Sequence, residues 1–110
     1  MRSRQFYMDL QTFENWLRSI KNKKGEFYSE KAITTRIKNL KIVENILRDL
    51  DECIRTDESM YNALITLKQI DVPEHQYLQT SLRRYWEFKH GSEFPRLNIY
   101  GKEHGIKITE

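Results

Sequence analysis

At 110 residues the chain has the length of one domain, with room for a single modest core and not for a catalytic domain plus an accessory one. Charged residues make up 32% and the mean hydropathy is −0.78, yet aromatics supply 12%, more than a disordered chain carries without a core to bury them. Only 4 Gly and 2 Pro serve as chain breakers, which weighs against an all-β protein and for a few long helices, so the expected fold class is all-α. No run approaches the roughly 20 apolar residues of a membrane helix, and the N-terminus has no apolar signal region. With Cys53 as its single cysteine the chain forms no internal disulfide, and a reduced, cytoplasmic protein is expected.

The net charge of +3 is unevenly spread. Through Arg48 there are 11 Lys and Arg against 5 Asp and Glu; from Asp49 onward there are 8 against 11. Such an electric dipole orients a protein on a polyanion as well as attracting it.

In chain order, residues 1–8 carry Arg2 and Arg4 beside Phe6 and Tyr7, a basic N-terminal arm ahead of the first periodic segment. From Asp9 to about Asn22, Leu10, Phe13, Leu17 and Ile20 have amphipathic spacing, and Gly25 is placed to end that helix. Tyr28, just ahead of the next cap, is positioned as a hydrophobic staple. Ser29 is then the N-cap of the longest predicted helix, running to Leu50. One side of it gathers Ile33, Ile37, Leu40, Val43, Leu47 and Leu50, with Ile42 and Ile46 on a flank. The opposite side gathers Lys31, Thr34, Thr35, Lys38, Lys41, Asn45 and Arg48, with carboxylates only at the ends, Glu30 and Asp49. Arg36 falls inside the apolar arc, where its stem is expected along the core edge and its head in water.

A third helix is predicted from about Glu58 to Ile70, capped by Thr56 or Asp57. Pro73 opens a fourth, about Glu74 to His90, carrying Leu78, Leu82, Tyr85, Trp86 and Phe88 and stopped by Gly91. Residues 9–91 thus form the helical domain and 92–110 a C-terminal extension. Its loose alternation at Leu97, Ile99, Tyr100, Ile106 and Ile108 allows a small β-hairpin.

From about Leu10 to Gly91 the sequence resembles the N-terminal core-binding domain of tyrosine recombinases and phage integrases, a SAM-like bundle of four helices. The residues that carry the likeness are Phe13, Trp16 and Leu17; Ser29, Ile33 and Leu40; and Leu78, Ser81, Leu82, Arg83, Tyr85 and Phe88, similar to that family's last helix. The chain departs from the pattern at Ala32 and Arg36, where the family commonly has threonine and tyrosine. In that family a separate C-terminal domain with an arginine, histidine and tyrosine constellation cuts the DNA, and no chain length is left here to build it. The resemblance therefore implies binding of duplex DNA without cleavage.

Contacts to a phosphate backbone call for cations and small donors along one exposed side. The candidates are Lys31, Thr34, Thr35, Lys38, Lys41, Asn45 and Arg48 on the second helix and Arg83, Arg84 and Lys89 on the fourth. The competing reading of each is a plain solvated surface. Tyr85, Trp86 and Phe88 are open to two readings as well, a stacking platform for unpaired bases or, as their spacing favours, core. His75, His90 and His104 share no ligand spacing, and the acidic residues Asp49, Asp51, Glu52, Asp57 and Glu58 fit helix caps better than a calcium loop. Neither a phosphate-cradling glycine loop nor a nucleophile motif is present, so an enzyme, a metal site and a cofactor are not expected. A phage-encoded module whose basic surface binds an acidic protein partner is the alternative to DNA binding.

Overall fold

The computed structural model describes residues 4–105, with side chains from Asp9 onward; the expected strand positions Ile106 and Ile108 lie outside them. Among the described residues the fold is all-α, with six helices and no strand. They are α1 Arg4–Ser19, α2 Glu30–Leu47, α3 Leu50–Cys53, α4 Asp57–Ile70, α5 Tyr77–His90 and α6 Leu97–Glu103.

The first helix begins five residues earlier than its apolar spacing predicts, so residues 4–8 of the expected arm are helical. It also ends earlier. The Ser19 hydroxyl donates to the Trp16 carbonyl (2.7 Å), a local bond that competes with continuing the helix. Asn22 Oδ1 then accepts from the amides of Lys24 and Glu26, closing a turn pinned by an antiparallel bridge between Lys21 and Phe27. Gly25, at φ +79°, serves this turn and not the end of α1.

The second helix starts where predicted. Ser29 is extended and its hydroxyl accepts the Ala32 amide (3.1 Å), while Glu30 stands in the first turn. Ser29→Ala is expected to cost about 1 kcal/mol, read as a lower urea midpoint at unchanged m-value. The helix stops at Leu47, not Leu50, because Arg48 turns to φ +78° and Asp49 caps the single turn α3. Leu50 is therefore buried from α3. Thr56 caps α4 through a reciprocal box with Ser59. Pro73 does not open α5 as expected. It sits in a turn bridged between Val72 and His75, and the Asp71 carboxylate accepts the amides of Leu78 and Gln79 (both 3.0 Å) to start that helix.

Packing centres on α5, whose most extensive contact is with α2; α1 and α4 flank it and α3 links α2 to α4. Phe13 and Leu17 of α1, Leu40 and Val43 of α2, Leu64 and Leu67 of α4, and Leu82 and Tyr85 of α5 are sealed from solvent. Phe13 meets Tyr85 edge-on at 5.5 Å and Phe88 at 5.4 Å, and Trp16 stacks behind it. Leu97 and Tyr100, expected on a strand, lie on α6 at a spacing of three. Tyr100 stacks on Tyr61 at 4.8 Å and meets Phe94 at 5.4 Å, which fastens the extension to α4.

The Tyr85 hydroxyl faces two carboxylates, Asp51 at 3.4 Å and Asp9 at 3.5 Å, and burial followed by these charges pushes its pKa well above the usual phenol range. The folded state thus keeps the proton that the unfolded chain gives up near pH 10. Stability drawn from Tyr85 is complete below that pH and is lost as pH rises beyond it, by up to about 1.4 kcal/mol per pH unit. Tyr85→Phe should flatten the decline of urea midpoint between pH 9.5 and 11.

Candidate nucleic-acid interface

On α2 the side chains of Lys31, Thr34, Thr35, Lys38, Lys41 and Asn45 are all exposed, while Ile33, Leu40 and Val43 behind them are buried and Ile37 and Leu47 pack against the core. Arg48, expected on the same helix side, is exposed but stands at the C-cap, outside the helix. At 1.5 Å per residue the helical stripe from Lys31 to Asn45 is about 21 Å long. Among the described residues, Lys31, Lys38, Lys41 and Arg48 form no ion pair. The acid at the start of the helix is withdrawn from them: Glu30 takes a two-toothed bond from Arg18 of α1 (2.8 and 3.1 Å), which holds its pKa below the usual carboxylate range. Arg18 also reaches Glu14 (2.7 Å), so these charges are consumed between α1 and α2. Ile42 and Ile46, expected to widen the buried stripe, are instead exposed beside the cations.

The cations of the fourth predicted helix, now α5, are placed differently. Arg83 is half-buried, donates to the carbonyls of Phe94 (2.9 Å) and Pro95 (3.1 Å), and lies over the Phe94 ring. Arg84 pairs with Glu87 (2.6 Å) and covers the ring of Tyr28, the expected staple residue, which packs against the core. Lys89 pairs with Asp9 (3.1 Å) over the rings of Tyr85 and Phe88. All three act as internal fasteners, and the structure does not bring them onto the α2 stripe. Sequence spacing signals only the Arg84 and Glu87 pair, three residues apart on one helix; Arg83 and Lys89 meet backbone carbonyls and a residue far along the chain.

Arg36 corrects its expectation too. Its head is not in water but crosses to α5, donating to Ser81 Oγ (3.2 Å) and the Tyr77 carbonyl (3.4 Å), and burial lowers its pKa. Tyr85 and Trp86 are buried and Phe88 packs against them, so none presents a face to an unpaired base. The acidic residues have structural posts: Asp49 caps α3, Glu52 pairs with Arg55, Asp51 meets Tyr85, and Asp57 and Glu58 occupy the first turn of α4. His75 stacks on Tyr77, while the His90 ring bonds the Ile54 carbonyl and stacks on Trp86; His104 stacks on Tyr100. Cys53 is half-buried, and burial with Asp49 and Glu52 nearby pushes its thiol pKa up. Among the described residues no three His, Cys, Asp or Glu side chains gather as a metal set, and no helix is long and apolar enough to cross a membrane.

What this arrangement can do is electrostatic: it offers positive charge and hydroxyl donors along the outer side of one helix. Compared with protein-family models, with curated proteins and with solved structures, the chain matches none.

Proposed function

We propose that this is a non-catalytic DNA-binding domain that lays the outer side of α2 along the phosphate backbone of a duplex, as the likeness to recombinase and integrase core-binding domains implies. The observation that carries the reading is the run of Lys31, Lys38 and Lys41, exposed on one side of a helix whose other side is buried, with Arg48 exposed at its C-cap, all four left without ion pairs among the described residues. Thr34 and Thr35 stand between the lysines, as hydroxyl donors to phosphate do. Arg83, Arg84 and Lys89 contribute at most a background field, since each is engaged inside the fold. A cytoplasmic, phage-derived origin accords with the single reduced cysteine and the family likeness.

Four neutralised phosphates give a slope of about −3.6 in log affinity against log salt, a loss of about 150-fold between 50 and 200 mM. Fluorescence anisotropy with a labelled duplex at those two concentrations measures it. Lys38→Ala with Lys41→Ala should bring the slope to about −1.8. Absence of binding at 50 mM salt removes the reading. A second reading draws on Ile42 and Ile46: exposed apolar side chains among cations suit an acidic protein surface with a greasy centre, and such binding would be less salt-sensitive.

A further inference from the structure

A second concentration of positive charge lies away from the α2 stripe. The helices α4 and α5 and the segment before α6 enclose an open cleft of about 610 Å³, within the roughly 300–1,000 Å³ range of small-ligand sites. Five cationic side chains line it against two carboxylates. They arrive from four places in the chain: Lys23 from the turn after α1, Lys68 from α4, Arg83 and Arg84 from α5, and Arg96 from the N-cap of α6. Of the carboxylates, Glu87 is already taken by Arg84. Among the described residues, Lys23, Lys68, Arg83 and Arg96 have no ion pair, and Glu93 pairs with none of them. Burial works most against the charge of Arg83, the nearby Glu93 carboxylate offsets part of that, and Arg96 adds a smaller repulsion. Thr80 and Asn98 add neutral polar groups to the wall.

Like charges on separate elements repel when they converge on one recess, and in solution an anion relieves that repulsion. A helix surface that is merely solvated spreads its cations along one rod. Here four separate segments bring them to the wall of a single hollow. We infer that this cleft binds a compact polyphosphate group, of the kind a nucleotide carries, with Lys68 and Arg96 as its principal contacts and Arg83 as the fixed charge at its wall. The shape argues against a duplex backbone as the occupant. Duplex phosphates are strung along a convex rod, at about 3.4 Å of axis per strand, whereas these cations line a recess. The inference does not depend on the DNA reading of α2.

Isothermal titration of the full chain with inorganic tripolyphosphate, and separately with inorganic phosphate, tests it at low salt. The expected result is saturable one-to-one binding of tripolyphosphate, at least ten-fold tighter than phosphate. Lys68→Ala with Arg96→Ala should weaken it ten-fold or more, and Lys38→Ala with Lys41→Ala should leave it within two-fold. All four positions are exposed, and an unchanged far-ultraviolet circular dichroism spectrum and melting point establish that each variant is folded. No saturable binding, equal affinity for phosphate, or equal weakening by the α2 pair would overturn the inference. So would a duplex affinity lowered as much by the Lys68 and Arg96 pair as by the α2 pair, which would assign the cleft to the DNA surface instead. The DNA reading fails separately, in the duplex titration.

Discussion

Phe13→Ala is expected to lower stability by about 3–5 kcal/mol, the usual range for truncating a sealed aromatic. Phe13 has no exposed surface and is the hub of an aromatic group drawn from two helices: it touches Trp16 on α1 and Tyr85 and Phe88 on α5. Removing its ring leaves a cavity lined by rigid side chains that relax poorly, so the cavity cost adds to the lost transfer energy. Domains of this size hold only about 5–15 kcal/mol in total, and the change should lower the melting temperature by more than about 10 °C. Thermal denaturation followed by circular dichroism measures it. Ile42→Ala is the control: exposed on α2, it should stay within about 0.5 kcal/mol of the parent. A small effect at Phe13 would mean that α1 is not docked on α5 as described.

Reversing the α2 charges is the largest functional change on offer. Lys31→Glu, Lys38→Glu, Lys41→Glu and Arg48→Glu together replace four counterion-releasing contacts with four repulsive ones. At 50 mM salt duplex binding should fall by at least about 100-fold, leaving the residual salt slope near zero. Because all four side chains are exposed, the variant should fold, and an unchanged circular dichroism spectrum with retained tripolyphosphate binding at the cleft would establish that. Duplex binding that survives the reversal would exclude α2 as the contact surface.

What the sequence made readable were features decided within one helical turn or one helix side. Ser29, Thr56 and Gly91 end helices by local hydrogen bonding or backbone conformation, and each sits where its residue type predicts. The two-sided pattern of α2 is similarly local, a matter of residues recurring every three or four positions. Misreadings arose where a distant group decides. The start of α5 follows the Asp71 carboxylate, six residues ahead of Tyr77, and not the nearby Pro73. The end of α1 is decided locally instead, by Ser19 and the Asn22 turn, whose side-chain bonds compete with the helix and leave Gly25 with a different task from the one its position suggested. Leu97 and Tyr100 fit a strand or a helix equally well on spacing; the stack of Tyr100 on Tyr61 is consistent only with the second in this fold. Among the candidate site residues, Lys31 to Asn45 on α2 stand exposed because one periodicity places them all, while Arg48 lies past the end of that helix. Arg83 and Lys89 were indistinguishable from them in sequence, since nothing local announces the Phe94 carbonyl or Asp9 as a partner, whereas Arg84 has Glu87 three residues on. The cleft cations were illegible for a related reason: Lys23, Lys68 and Arg96 belong to three segments that meet only after folding.

The bond from Arg36 to Ser81 bears on how the α2 cations are aimed. Apolar packing resists separation of two helices far more than it resists one of them rolling about its long axis, because burial carries little directional information. A guanidinium that must meet a hydroxyl at 3.2 Å and a carbonyl at 3.4 Å does carry it. The half-buried arginine between the helices therefore acts as a key in a slot, fixing the azimuth of the helix. Its exposed neighbours inherit their heading from a cation turned the other way, toward α5.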